Sequence, residues 1–139
     1  MHFNELDAIM RVYEEVHDYA VLPNIYMVAR LDGRNFTRLT KDTHRFAAPF
    51  DERFRDYMLA TVEHLMNCGF KVIYGYTQSD EISLLLDIDE NTFNRKLRKL
   101  NSILAGEASA KFSLLLRNML EIPMKDKYCQ FIQDLLIKD

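Results

Sequence analysis

Apolar positions recur along this chain at two periods, and the switches between them mark its elements. From 4 to 19 the residues Leu6, Met10, Tyr13 and Val16 share one stripe of a 3.6-residue repeat, which predicts a helix with Asn4 as its N-cap. After Pro23-Asn24, the run Ile25-Tyr26-Met27-Val28-Ala29-Arg30-Leu31 is apolar on both faces of an extended chain. That pattern predicts a strand at the centre of its sheet, ending at Asp32-Gly33. Residues 34–48 are irregular, with one helical turn near 36–39. Asp51 then caps a helix whose Phe54, Met58, Val62 and Leu65 keep the i, i+4, i+8, i+11 spacing of a buried face, and Gly69 closes it. Two short extended runs, 70–77 and 81–86, flank a polar break at Gln78-Ser79 and predict a hairpin. A long helix is expected from Thr92 to Met119 through Phe93, Leu97, Leu100, Leu104, Ala108, Phe112 and Leu115. Beyond Pro123, a last amphipathic stretch over 125–138 carries Tyr128, Ile132 and Leu135 on one side.

The order helix, strand, helix, hairpin, helix, helix predicts an α+β fold. Its βαββα centre suits a palm-like, antiparallel-rich sheet with helices on one face and the other face partly open. The same pattern also suits ferredoxin-like binding modules, so the fold alone does not assign a function. One domain over 1–139 is expected, without repeat or linker.

Composition narrows the class. With 48% hydrophobic residues in 139, only four Gly and three Pro, the chain has enough apolar surface for a core and is neither fibrous nor low-complexity. No apolar run approaches the ~20 residues of a membrane span, so no membrane partner is expected. Cys68 and Cys129 stand in no CxxC spacing, and the expected location is a reducing cytoplasm. Net charge is −3, yet residues 30–55 hold seven Lys/Arg against four acids, and residues 94–117 hold six against Glu107 alone. A phosphate-rich partner near the middle of the chain would explain this asymmetry; solvated helix faces would explain it equally. Arg95, Lys96 and Lys99 are the candidate contacts to such a partner.

Asp32 ends the first strand beside Gly33, and Asp80 stands at the hairpin, 48 positions later. If the hairpin pairs beside that strand, the two carboxylates converge at one edge of the sheet. Two converging Asp suit a hard divalent ion such as Mg²⁺, which keeps waters and takes further ligands from substrate phosphates. As turn formers, both have a purely structural alternative. Arg34, Asn35 and Thr37 offer donors to phosphate, while Phe36 either closes over a base or packs inward. Alternation along the second hairpin strand places Asp80 and Glu81 on opposite faces, with Asp80 on the side used by Asp32. No P-loop, nucleophile motif or zinc-ligand spacing occurs, and the four His are scattered.

Three blocks occur in order: Arg30-Leu31-Asp32-Gly33-Arg34-Asn35-Phe36, then Phe46-x-x-Pro49-x-Asp51, then Tyr74-Gly75-Tyr76-x-Gln78-Ser79-Asp80-Glu81-Ile82-Ser83. Together they resemble the tRNA-His guanylyltransferase family over about residues 26–116, leaving 118–139 unmatched. The resemblance implies a palm domain that adds nucleotides to a tRNA 5′-end in the 3′-to-5′ direction, either as an extra G or as templated repair. It implies two Mg²⁺ ions, GTP as substrate, ATP as a candidate for 5′-end activation, and a dimeric or tetrameric assembly. Asp32 and Asp80 would be the metal ligands, joined by the Gly33 carbonyl. The run Asp32, Gly33, Arg34, Asn35, Phe36 and Thr37, with Ser79 and Asp80, would hold the nucleotide. Asp32, Asp80 and Glu81 are the implied catalytic set, and RNA is the implied phosphate-rich partner of Arg95, Lys96 and Lys99.

Two features depart from the family pattern. Ala48 stands where a Lys commonly precedes the middle-motif Pro. The strand, His/Asn-rich motif and C-terminal region that follow the long helix in the family are not recognisable after Arg117. The alternative is therefore a truncated, catalytically incomplete palm module that binds nucleotide or RNA.

Overall fold

The computed structural model describes residues 2–43 and 46–119. Helix α1 (Phe3–Glu15) leads to strand β1 (Met27–Asp32). A short helical stretch α2 (Phe36–Arg38), continued by a π-type turn over Leu39–Thr43, precedes helix α3 (Glu52–Met66). The hairpin strands β2 (Val72–Gln78) and β3 (Glu81–Leu86) follow, and helix α4 (Leu97–Met119) completes the order. The expected last helix, with its Tyr128–Leu135 stripe, lies outside the described residues.

Among the described residues the strands form one antiparallel sheet in the order β1-β3-β2. Strand β1 is therefore an edge, not the predicted centre. Its apolar run misled because only alternate residues face the core: Met27 is buried, whereas Val28 is 69% exposed. The central place belongs to β3, whose Ile82, Leu84 and Leu86 are buried against the helices. The core joins them to Met58, Val62 and Leu65 of α3 and to Leu100, Leu104, Phe112 and Leu116 of α4. Both helices lie on one face of the sheet, as expected. Gly75 allows the close approach of α3 to β2: a Cβ there would stand 2.6 Å from Val62 Cγ1.

Asp51 caps α3 as the sequence predicts. Its carboxylate accepts from the backbone N–H of Arg53 (2.9 Å) and Phe54 (3.4 Å), and also from Ala47 N–H (2.8 Å) across the preceding loop. The Arg53 side chain and these backbone donors hold its carboxyl far below the usual range. Helix α1 departs from expectation. It begins after His2, whose N–H donates to Glu5 Oε2 (3.0 Å), and its apolar stripe is exposed, with no residue buried.

The long helix also starts later than its periodicity predicts. Phe93, Asn94 and Arg95 take left-handed dihedrals (φ 54, 53 and 58°) in a 3₁₀ turn over Thr92–Arg95, and α4 begins only at Leu97. Leu97 is exposed instead of inward. Arg95 explains the break. Buried, it donates from Nε to Val21 O (3.3 Å), from Nη1 to Ile88 O (3.2 Å) and Glu90 O (2.7 Å), and from Nη2 to Ile25 O (2.7 Å).

Beside it Glu90, 1% exposed, accepts from Lys71 N–H (2.5 Å) and Thr92 N–H (2.6 Å). Burial pushes its carboxyl pKa up, but these hydrogen bonds outweigh burial and the net shift is downward. A depressed folded-state pKa gives stability that is present above the unfolded value and lost as pH falls through the folded one. Thermal melts below about pH 4.5 should therefore show a fall that Glu90→Gln flattens. An equal fall in both proteins would remove Glu90 from the acid response.

Candidate functional site

Strand β1 ends at Asp32, opposite Glu81 at the start of β3. Directly opposed residues project from the same face, so Val28, Arg30 and Asp32 share the open face with Leu85, Ser83 and Glu81. Tyr74, Tyr76 and Gln78 of β2 continue these rows. Strand parity thus groups Asp32 with Glu81, contrary to the predicted grouping with Asp80. Asp80 escapes parity altogether because the hairpin turn is Ser79-Asp80, one residue later than expected, with Ser79 left-handed (φ 55°). The turn folds back onto the end of β1, where Gly33 N–H donates to Asp80 O (3.2 Å).

Asp32, Gly33, Arg34 and Asp80 line one end of a groove of ≈ 690 Å³ that runs between β1 and α4, a size that suits a small-molecule ligand. Its floor includes Leu31, Met58, Phe36 and Phe112, and α4 contributes Asn101, Ala105, Ser109 and Ser113. Those α4 positions were not singled out in the sequence; their i, i+4 spacing beside the stripe of buried Leu104, half-buried Ala108 and buried Phe112 is the signal that marks a second face. Glu81 does not line the groove. Its carboxylate is ion-paired with Arg30 on the open face, and the pair holds the Arg30 guanidinium above its ordinary pKa. Among the described residues neither Asp32, Asp80 nor Arg34 has an ion-pair partner, and Asp80 Oδ1 accepts from Ser79 Oγ (3.0 Å).

Asn35 is left-handed (φ 58°) and its carbonyl accepts from Arg38 and Leu39 N–H, which starts α2 and leaves Arg34 and Thr37 exposed beside the groove. Phe36 turns inward. Its ring lies 5.1 Å from Phe112 and 5.9 Å from Phe54, centroid to centroid. A Cβ on Gly33 would stand 2.2–2.5 Å from that ring. Gly33→Ala is expected to destabilise the fold by about 1–3 kcal/mol, the range of overpacked sites, and Phe36→Leu should recover part of the loss. Urea unfolding of the two variants checks both.

The basic residues are not equivalent. Arg95 faces the interior, so its expected RNA contact is withdrawn: four backbone carbonyls occupy its donors. Lys96 pairs with Asp18, which also accepts from Arg98 Nε (2.8 Å). Lys99 Nζ lies 5.9 Å from the Phe93 ring centroid.

No group of three or more His, Cys, Asp or Glu able to hold a metal occurs among the described residues. The donor set at the groove is two carboxylates and nearby backbone oxygen. Such a set fits Mg²⁺, which completes its shell from waters and phosphates, and does not fit a closed protein cage.

The chain spans about two fifths of the length of the curated relatives it matches. The tRNA(His) guanylyltransferase of Kluyveromyces lactis is 36% identical over 99 residues, 70% of this chain and 41% of that protein. A probable tRNA(His) guanylyltransferase of Mus musculus is 31% identical over 113 residues, covering 78% of this chain and 38% of the mouse protein. Among solved structures, a bacterial tRNA(His) guanylyltransferase-like protein in complex with GTP superposes with a TM-score of 0.73 at 28% identity, covering 81% of this chain and 53% of its own. The same description in complex with ATP gives 0.74 at 28%, over 82% and 50%. The sequence profile of the tRNAHis guanylyltransferase family matches residues 7–133, wider at both ends than the motif resemblance and reaching into the segment read as unmatched. By that match and these relatives, the chain belongs to the tRNAHis guanylyltransferase family.

Proposed function

We propose that this chain is the nucleotidyl-transfer core of an enzyme that adds GTP-derived nucleotides to a tRNA 5′-end in the 3′-to-5′ direction. The observation that carries this reading is the groove where Asp32, Gly33, Arg34 and Asp80 meet between β1 and α4. Asp32 and Asp80 would hold Mg²⁺ (two ions) with the Gly33 carbonyl; bound there, Mg²⁺ neutralises triphosphate charge and favours an ionised attacking hydroxyl. Arg34, without an acidic partner among the described residues, offers its guanidinium to phosphate oxygens. Asn35, Thr37 and Ser79 place short polar groups around the same end, and Phe36 supports the loop from beneath. Glu81 acts from outside the groove, through Arg30. ATP is the candidate co-substrate for activating the 5′-end. Ala48, at the position where the family commonly has Lys, supplies no charge to that step.

Ala48, uncharged where the family commonly has Lys, favours a second reading, a palm module that binds nucleotide or tRNA without completing transfer. Incubation with labelled GTP, Mg²⁺ and a 5′-triphosphorylated or 5′-truncated tRNA separates them. Lengthening at the 5′-end supports transfer; binding without lengthening supports the module.

RNA contact would run through Lys99, with Lys96 available once its Asp18 pair opens. Removing one phosphate contact flattens the log–log salt dependence by about 0.7 on single strands. Lys99→Gln is expected to do so without changing GTP affinity; an unaltered slope returns Lys99 to a solvated face. A homo-oligomer, dimer or tetramer, is also proposed, because the β1 edge, unpaired among the described residues, invites pairing. A sedimenting monomer at micromolar concentration would exclude it.

A further inference from the structure

Asp32 and Glu81 face each other at the end of the β1–β3 ladder. Side chains so opposed have Cβ atoms about 4.5–5.5 Å apart, and like charges there repel. Asp80 stands in the adjoining turn, and the three carboxylates form no single cluster able to hold a metal among the described residues. The nearest cation on the same face is Arg30, two residues back along β1 and opposite Ser83. Its guanidinium reaches diagonally to Glu81, not to either groove carboxylate, although the charge of Asp32 also acts on it. The result is a division: Asp32 and Asp80 line the groove without ion-pair partners among the described residues, and Glu81 stands outside it, neutralised.

We propose that Arg30 is a positioning residue that holds the Glu81 carboxylate on the open face, where strand register places its residue, and so keeps the groove a two-carboxylate site. This rests on the reading of the groove as a metal–nucleotide site. A third carboxylate would raise the ligand charge count, the quantity that tunes affinity for hard cations, and would displace the positions left for substrate phosphates. Arg30 lines the groove beside Asp32, and through its pair with Glu81 it sets how many carboxylates meet the ligand.

The test uses the full chain with Arg30→Gln, Arg30→Lys, Glu81→Gln and the double variant Arg30→Gln/Glu81→Gln. Mn²⁺ binding without nucleotide, followed by electron paramagnetic resonance, should tighten about tenfold in Arg30→Gln as Glu81 joins the site. It should return to the parent value in the double variant and stay near it in Arg30→Lys. Thermal melts in chelator give a metal-free readout. Arg30→Gln should lower Tm by about 2–4 °C through bared carboxylate repulsion, and adding Asp32→Asn should restore most of the loss. Unchanged Mn²⁺ affinity in Arg30→Gln overturns the proposal. So does equal weakening of Mg²⁺–GTP binding with and without the Glu81 carboxylate, because Arg30 would then act on the ligand itself. If the parent chain binds no Mn²⁺, the metal reading fails and the melts alone decide: rescue by Asp32→Asn supports the role of Arg30, and no rescue ends it.

Discussion

Asp32→Asn should reduce Mg²⁺-dependent GTP binding by about 100-fold or more while leaving the chain folded. Loss of a group that merely orients a metal ligand typically costs 10–100-fold in metal affinity, and Asp32 is proposed to touch the ion itself. The amide keeps the shape but removes the carboxylate charge, and only Asp80 is left to offset a divalent ion. Folding should survive because Asp32 makes no ion pair among the described residues and faces a like charge across the ladder. Calorimetric titration of GTP with Mg²⁺ and with chelator measures the effect. If the unmodified chain binds GTP equally under both conditions, the carboxylate pair has no metal to hold. Asp80→Ala should behave like Asp32→Asn, whereas Glu81→Ala should lose transfer and keep measurable Mg²⁺–GTP binding. Retained transfer in Glu81→Ala would contradict its supporting role.

Replacing Arg95 by Leu is expected to have the largest effect on stability, about 3 kcal/mol. The guanidinium satisfies four carbonyls from two loops, 21–25 and 88–90. Hydrogen bonds to charged groups contribute about 1.5–3 kcal/mol each where measured singly, and the four are not additive because the freed loops can rehydrate. The same substitution releases a constraint. Three consecutive non-glycine residues held left-handed cost on the order of 1–3 kcal/mol apiece, and Arg95 anchors the turn that holds them. Without it, Thr92–Lys96 should relax toward the helix that their periodicity encodes. Urea unfolding reads the first effect; the second is a gain in amide protection over 93–97 by hydrogen exchange. A loss below about 1 kcal/mol would mean that water replaces the guanidinium at no cost, and the hub would be ornamental to stability.

The periodic signals determined α3, the hairpin and most of α4 because each is local. Asp51 precedes its helix by one residue, and Phe54, Met58, Val62 and Leu65 present a stripe whatever they meet. Asp32, Gly33, Arg34 and Asp80 were equally legible as candidates, since an acid beside a glycine at a strand end is a local motif. Their meeting was not. It depends on β1 pairing with β3, on the one-residue position of the Ser79-Asp80 turn and on the Gly33–Asp80 backbone bond. None of these is encoded within a single element.

The edge position of β1, the interior place of Arg95 and the late start of α4 were also decided by tertiary structure. A side chain's alternation tells which residues share a face, but not which strand lies next to them. A cluster of basic residues tells net charge, but not which guanidinium will be taken by distant carbonyls. Arg95 reads like Lys96 and Lys99 in the sequence; the loops at 21–25 and 88–90, up to 74 positions away, turn it into a core residue. The sequence by itself determined the element types and the groups available for chemistry. The tertiary structure decided which carboxylates share the groove, because only non-local pairing brings residues 32 and 80 to the same corner of the sheet.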